Sequence, residues 1–324
     1  MVNDIPYDEE LIKKILAEAF PNYQLLDLQR IEKGIMNLVA QAKITNPDKE
    51  VIIKLSNQPK KYSIHKEAYL YDLVKKHDIP TPTIYYSDFT KNNWPYEVFV
   101  AQKLPGVAVQ DVWEELPIHA KEHVAEQAGT LFAKIHQITY DKPGQIHAEQ
   151  TKQFNDLFEY MLTYVPENLS TAREMQFIPS TIIDSIEAIF YEHEEWLRNL
   201  QDNVLCHFDF HFGHLFINDQ YQITGVLDWG FAEIAPREMD FFKPHRWIFD
   251  KGSMYRKAFL DAYQLYHELP EDFEVRVRFF RLFLDIKFVE RLVKTNQIEL
   301  AQEYVTKLKE HLGVVNYSEK LNHT

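Results

Sequence analysis

The fold is decided by residues 206–240, which read CHFDFHFGHLFINDQYQITGVLDWGFAEIAPREMD. Asp209 lies in a predicted tight loop, and His214 follows it by five residues. A β-rich run, residues 221–227, then leads to a second carboxylate, Asp228. Phosphoryl transfer needs one carboxylate that orients a hydroxyl nucleophile and two ligands that hold magnesium over the nucleotide phosphates. This stretch contains all three groups in that order.

The stretch resembles the catalytic and metal loops of the aminoglycoside phosphotransferase family, which usually read HGDxHxxN and then IDW. Phe208 stands where that family has Gly, and His214 stands where it has Asn. The macrolide 2'-phosphotransferase branch has His at this position, as HGDxHxGH, and HFDFHFGH is similar to that version. The resemblance implies a nucleotide-dependent kinase with Asp209 as the catalytic residue. It also implies a macrolide acceptor, GTP or ATP as the phosphate donor, and a role in antibiotic resistance.

The same resemblance implies that His214 and Asp228 hold Mg2+. Imidazole is an unusual ligand for this ion, which prefers oxygen. The alternative is that His214 is a packed or solvent-facing loop residue and that Asp228 and water hold the metal. Its position in the motif favours the ligand hypothesis.

Composition predicts an intracellular enzyme with two lobes. The chain has 324 residues and one cysteine, Cys206, which excludes an intramolecular disulfide and fits a reducing cytoplasm. No apolar run approaches the roughly 20 residues of a membrane span, and the acidic N-terminal segment lacks a signal-peptide pattern. The net charge of −14 argues against nucleic acid or an anionic membrane as a partner. We expect a small-molecule partner and a monomer or weak dimer.

The resemblance implies an α+β, two-lobed, protein-kinase-like fold, with a small β-rich N-lobe and a large helical C-lobe. We predict a nucleotide-binding lobe at 1–101, a hinge at 102–106, and a helical lobe with the catalytic loop and substrate pocket at 107–324. Periodicity predicts helices at 8–18, 65–76, 117–138, 151–164 and 179–200, and strands at 23–32, 38–45, 51–55 and 96–103. From Asp240 onward the pattern is helical.

Two charged residues of the first lobe are predicted to hold the nucleotide. Lys54 lies in the apolar strand VIIKL, where an unpaired ammonium would be costly to bury. Glu67 follows 13 residues later in a predicted helix. The kinase arrangement implies that Lys54 binds the α/β-phosphates and that Glu67 steadies it. Taken singly, each residue is better explained as a solvated side chain, but the pair, upstream of the Asp209 loop, favours the nucleotide site.

The resemblance adds further nucleotide contacts. Gly34 and Asn37 in KGIMN match the phosphate-covering loop, although a hairpin glycine needs no ligand to explain it. The main chain of Val100, Ala101 and Gln102 is expected to select the purine.

Four further residues near the motif have predicted roles. His207 and Asp240 are expected to fix the catalytic loop, His136 to be structural, and His211 to lie on the substrate side. Aromatic residues make up 14% of the chain, which slightly favours an apolar acceptor such as a macrolide, although most of these rings must be core. The alternatives are an aminoglycoside or small amino-alcohol kinase and, in another class, a non-catalytic nucleotide-binding protein.

Overall fold

The computed structural model describes residues 5–32, 36–59, 63–148 and 150–316. In chain order, its helices and strands are α1 (Glu9–Ala19), β1 (Gln24–Ile31), β2 (Leu38–Thr45), β3 (Lys49–Ser56), α2 (Ile64–Lys75), β4 (Ile84–Asp88), β5 (Glu97–Gln102), β6 (Val107–Ala108), α3 (Val109–Val112), α4 (Ile118–His136), β7 (Gly144–His147), β8 (Gln150–Gln153), α5 (Leu157–Leu162), α6 (Val165–Met175), α7 (Ser180–Glu192), α8 (Glu194–Asn199), β9 (Val204–Cys206), β10 (Leu215–Ile217), β11 (Ile223–Val226), β12 (Glu233–Ala235), α9 (Arg237–Asp240), α10 (Phe242–Trp247), α11 (Ser253–Gln264), α12 (Phe273–Lys294) and α13 (Ile298–Asn316).

The N-terminal region is an antiparallel five-stranded sheet in the order β1-β2-β3-β5-β4. Strand β2 alternates buried with more exposed residues, and its fully buried positions Ala40, Ala42 and Ile44 face the core. Helix α1 buries Ile12, Ile15 and Leu16 in the same core. Their spacing of one helical turn is what an amphipathic helix needs to cover a sheet.

The C-terminal region is mainly helical and carries two small sheets. The first has the order β11-β10-β6, and the second has the order β8-β7-β12-β9. Together these sheets flank the loop between β9 and β10, which is the predicted catalytic loop, while α4 and α11 pack side by side behind it. A separate core joins α5, α6 and α7 to α12 and α13. None of the helices in the described ranges is long and apolar enough to cross a membrane.

The predicted α+β architecture is confirmed, with a β-rich first region and a helical second one. The predicted helix 151–164 is wrong at its start, because residues 150–153 form β8, which pairs with β7, and α5 begins only at Leu157. The predicted helix 179–200 is divided at His193 into α7 and α8. The predicted hinge, 102–106, begins at the last residue of β5 and ends directly before β6, and the lobe boundaries stay predictions.

Candidate active site

The catalytic loop is fixed by a buried carboxylate. Asp240, at the end of α9, accepts hydrogen bonds from the main-chain N–H groups of His207 (2.7 Å) and Phe208 (2.6 Å). It also accepts one from Nε2 of His136 at 3.1 Å, while Nδ1 of His136 lies 2.8 Å from the Tyr263 hydroxyl. Burial lowers the pKa of His136, which favours its neutral form. The expectation that Asp240 anchors the loop and that His136 is structural agrees with these contacts.

Phe208 has a left-handed backbone, with φ of 58°. This conformation explains why the related motif has glycine here, since glycine adopts positive φ without a steric cost. A residue with a Cβ costs roughly 1–2 kcal/mol more in this region. The chain keeps a phenylalanine in spite of that cost, and its ring lines the cavity beside Asp209.

His207 ties the catalytic loop to the strand that delivers Asp228. Its Nε2 donates to the carbonyl of Leu227 at 3.1 Å, and its Nδ1 accepts from the N–H of Asp209 at 3.2 Å. Burial lowers the pKa of His207 to about 4, so the ring is neutral and can both donate and accept. The histidine therefore sets the distance between the two carboxylate-bearing segments.

The Asp209 carboxylate lies among three basic side chains. Lys243, on α10, contacts its Oδ1, and Nε2 of His211 lies 3.8 Å from the same oxygen. Oδ2 lies 3.6 Å from Nδ1 of His214. Burial raises the pKa of Asp209, but Lys243 and His214 outweigh it and hold that pKa well below its usual range. The group is ionised and can accept a hydrogen bond from a hydroxyl.

His211 is neutral and its orientation is fixed. Burial and the neighbouring ring of His214 lower the pKa of His211 to about 3. The N–H of Gly213 donates to its Nδ1 at 3.0 Å, so its proton lies on Nε2, the atom that faces Asp209. A Cβ at position 213 would lie 2.7 Å from this ring, so glycine is needed for the close approach.

His214 and Asp228 form a pair suited to a divalent cation. Nδ1 of His214 donates to the main-chain carbonyl of Asp209 at 2.9 Å, which leaves Nε2 available for another partner. That Nε2 lies 3.4 Å from Oδ2 of Asp228. Two electron-pair donors at this distance repel each other unless a proton or a cation lies between them. The donor set therefore fits a metal ion held by one imidazole and one carboxylate.

Asp228 has a left-handed backbone, with φ of 61°, which turns its carboxylate back toward Lys54 and His214. Burial raises the pKa of Asp228, but Lys54 and His214 bring it below its usual value. A non-glycine residue in this conformation is uncommon and is often associated with functional sites.

The Lys54 and Glu67 side chains meet as predicted for a kinase-like nucleotide site. Nζ of Lys54 lies 2.5 Å from Oε2 of Glu67, and the Tyr71 hydroxyl donates to Oε1 at 2.6 Å. The side chains of Lys54 and Glu67 are 13% and 5% exposed, so neither is a solvated surface residue. Burial lowers the pKa of Lys54, but Glu67 and Asp228 raise it above its ordinary value, so the ammonium is kept.

A cavity of about 550 Å3 between the five-stranded sheet and the segment that carries Asp228 brings most of the predicted nucleotide residues together. Of these residues, its lining includes Lys54, Glu67, Ala101, Gln102, His214 and Asp228. Asn37 and Val100 are described but are not among the lining residues, and the Val100 side chain lies in the core under α1. Gly34 lies outside the described residues.

The purine contacts predicted for 100–102 need one refinement. The N–H of Gln102 already donates to Thr83 O at 2.8 Å, and that of Lys103 donates to Glu50 O at 3.1 Å. These two donors are therefore engaged within the sheet and its edge. Purine recognition by main-chain groups would have to use other atoms of this segment.

A second cavity, of about 290 Å3, opens on the other side of Asp209. Its walls are largely aromatic, and its charged residues are two acids and three bases: Asp209, Glu233, Lys243, Lys287 and Arg291. The buried Glu233 carboxylate accepts from the Tyr160 hydroxyl. The aromatic residues of the walls are Tyr160, Tyr164, Phe208, Phe231, Phe242, Phe283 and Phe288.

Sequence reasoning missed Lys243 and Glu233. Neither lies in the recognised motif, and each reaches the site through the packing of a later element, α10 or β12. Lys243 lies in the segment FFKPHRW, residues 241–247, and no sequence pattern there indicates a functional lysine.

Comparison with known proteins identifies the family. The profile of the phosphotransferase enzyme family, APH, matches residues 27–273, so the chain belongs to this family. Family membership confirms the predicted enzyme class, a small-molecule phosphotransferase, and the predicted kinase-like fold. No curated protein matches the sequence.

Solved structures with the same fold share little sequence. A thermostable mutant of the aminoglycoside phosphotransferase APH(4)-Ia, in a ternary complex with ADP and hygromycin B, has 14% identity and a TM-score of 0.69, covering 94% of this chain and 98% of that chain. The GDP complex of aminoglycoside 2'-phosphotransferase-IIIa has 16% identity and a TM-score of 0.64, covering 95% and 99%. A putative aminoglycoside phosphotransferase from Ralstonia eutropha JMP134 has 13% identity and a TM-score of 0.68, covering 96% and 99%.

Proposed function

We propose that the enzyme transfers the γ-phosphoryl group of GTP or ATP to a hydroxyl of a largely apolar small molecule. The observation that carries this proposal is the position of Asp209 and His214 between two cavities. His214 faces Asp228 in the nucleotide cavity, and Asp209 faces the aromatic cavity. A hydroxyl bound to Asp209 would thus point toward the phosphates of a nucleotide bound to Lys54.

Each residue has a separate task in this mechanism. Asp209 accepts the hydrogen bond of the acceptor hydroxyl and aligns its oxygen with the γ-phosphorus. Lys54 binds the α/β-phosphates, and Glu67 keeps its ammonium in place. Because the transition state of phosphoryl transfer is loose, alignment and neutralisation of charge contribute more than the strength of the base.

His214 and Asp228 would hold Mg2+ in this mechanism. When bound, the ion neutralises charge on the nucleotide phosphate oxygens. The chain contributes the preset tautomer of His214, whose Nδ1–H is held by the carbonyl of Asp209.

For the acceptor we propose a macrolide, whose lactone ring would pack on the aromatic walls. The ammonium of its amino sugar would bind the buried carboxylate of Glu233. We further propose that GTP serves at least as well as ATP, as the macrolide branch implies.

An aminoglycoside is the second candidate acceptor, because hygromycin B is bound by a protein of the same fold. The charges of the aromatic cavity, called the acceptor cavity below, argue against an aminoglycoside, since its three bases outnumber its two acids. Polycationic acceptors need a surplus of acids. The cytoplasmic location and the monomeric or weakly dimeric state stay predictions.

The test is to offer erythromycin, kanamycin and choline with Mg2+ and either GTP or ATP and to measure nucleoside diphosphate release. We expect acceptor-dependent release with erythromycin. Turnover of kanamycin but not erythromycin would refute the macrolide and leave the phosphotransferase standing. Nucleotide binding without transfer to any acceptor would favour the non-catalytic alternative.

A further inference from the structure

Lys243 contacts the catalytic carboxylate from outside the recognised motif. Its ammonium is ion-paired with Oδ1 of Asp209, and the two side chains are only 16% and 11% exposed. It lies on the first turn of α10, three residues after Asp240, which binds the catalytic loop through two main-chain N–H groups. The short connection from this anchor sets the position of the ammonium relative to Asp209.

The two oxygens of Asp209 have different surroundings. Oδ1 is contacted by Lys243 and faces Nε2 of His211 at 3.8 Å. Oδ2 faces His214, on the side of the nucleotide cavity, at 3.6 Å. An acceptor hydroxyl that points toward the nucleotide would therefore bind Oδ2, while the ammonium keeps Oδ1.

The contact between the Lys243 ammonium and the Asp209 carboxylate needs an explanation other than holding the carboxylate in place. His214 and His211 already face the carboxylate, and an ammonium competes with the acceptor hydroxyl for it. What changes during the reaction is the charge in the acceptor cavity, since the product is a phosphate ester with about two negative charges. Lys243 lines that cavity and contacts Asp209, the residue that would bind the acceptor hydroxyl.

We propose that Lys243 is a further catalytic residue, whose ammonium moves from Oδ1 of Asp209 to an oxygen of the transferred phosphoryl group. This inference rests on the proposed phosphotransferase function. The flexible four-carbon stem of lysine allows such a shift over a few ångströms without movement of the helix.

Atoms and electrons balance in this step. The bond between the acceptor oxygen and the γ-phosphorus forms while the bond from that phosphorus to the β,γ-bridging oxygen breaks. The electrons of the broken bond leave with the nucleoside diphosphate. The hydroxyl proton passes to Oδ2 of Asp209 and then to solvent. Lys243 forms and breaks no covalent bond and supplies only positive charge.

The test uses the full chain, Mg2+, and GDP or ADP, each with and without aluminium fluoride, which mimics the transferring phosphoryl group. The variants are Lys243→Gln, which loses the charge but can still donate a hydrogen bond to Asp209, and Lys243→Arg, which keeps the charge. The matched control is Lys294→Gln, because Lys294 is also paired with a carboxylate, that of Glu290, but lies outside both cavities.

We expect aluminium fluoride to tighten diphosphate binding by wild type and by Lys294→Gln to the same extent. Lys243→Gln should bind the diphosphate within about twofold of wild type but lose about 10- to 100-fold of the fluoride-dependent gain, the range for one charge-assisted hydrogen bond. Lys243→Arg should keep most of that gain. Retained diphosphate binding shows in each case that the variant is folded.

Three results separate the possible failures. If Lys243→Gln and wild type gain equally from fluoride, or neither gains, the phosphoryl contact is refuted while the proposed function stands. The phosphoryl contact is also refuted if Lys243→Gln lowers turnover but keeps the full gain, because Lys243 would then only position Asp209. If wild type binds no diphosphate at all, the proposed function falls first and the inference falls with it.

Discussion

The buried carboxyl of Glu238 should make stability fall as pH rises from 5 to 8, and Glu238→Gln should remove that fall. Glu238 lies on α9, is 3% exposed, and its Oε2 has no hydrogen-bond partner among the described residues. Its Oε1 lies 3.8 Å from Nη1 of Arg276, too far for a hydrogen bond. Burial, with a contribution from Asp202, raises the pKa of Glu238 from 4.5 to about 7.

The magnitude follows from this shift. Between pH 4.5 and about 7 the unfolded chain loses the proton while the folded protein keeps it, so ionisation favours unfolding increasingly as pH rises. Across pH 5 to 8 the free energy of unfolding should fall by roughly 2.5 kcal/mol through this group alone. For a chain of 324 residues that corresponds to about 4 °C in Tm.

The measurement is Tm at pH 5 and at pH 8 for wild type, Glu238→Gln and the control Glu310→Gln, whose side chain is exposed. The buried amide also lacks a partner, which costs stability equally at both pH values. Only the change with pH is therefore compared. The difference in Tm between Glu238→Gln and wild type should rise by several degrees from pH 5 to pH 8. The difference between Glu310→Gln and wild type should not change. An equal pH dependence in all three proteins would refute the raised pKa.

Three further predictions concern the site. Asp209→Ala should lower kcat about 100-fold or more while nucleotide binding stays within about threefold, since the carboxylate contacts the acceptor; a variant that keeps over a tenth of wild-type kcat would remove that role. His214→Asn should stay active and His214→Ala should need far more Mg2+, whereas equal Mg2+ titrations of wild type and His214→Ala would make His214 a bystander. Phe208→Gly should raise the acceptor KM several-fold without loss of Tm, because a wall of the cavity is removed while positive φ becomes unstrained; a Tm drop of several degrees would refute the strain argument.

The sequence was most informative where one local rule decides the structure. The strand at 38–45 was predicted at its observed bounds because its apolar residues alternate along the chain. The family resemblance implied that His214 and Asp228 share one site. The two residues do lie close together, because they flank the short β10–β11 hairpin. The helix at 65–76 was predicted within one residue of the observed α2. Its Glu67, in the first turn, contacts Lys54, as the kinase arrangement implied.

Sequence was least informative where long-range packing decides. Strand β8 is exposed along its length and exists because it pairs with β7, a contact that its local pattern does not encode. Lys243 reaches Asp209 from 34 residues away through the docking of α10, which no periodicity predicts. The engagement of the Gln102 N–H by Thr83 likewise depends on the edge of the sheet.

Basic and acidic side chains alternate from the nucleotide cavity, which Lys54 lines, to the aromatic cavity, which Lys243 lines. Lys54 is followed by Asp228, which faces His214, and His214 is followed by Asp209, which contacts Lys243. In the free protein each acid thus has a basic neighbour, which lets both carboxylates stay ionised. In the proposed reaction each ligand takes over one of these partners. Phosphates would take Lys54, a metal ion would take His214 and Asp228, and the arriving phosphoryl group would take Lys243. Asp209 would then have the acceptor hydroxyl as its main partner only when the nucleotide and the metal ion are also bound. Transfer would therefore require that all three ligands occupy the site.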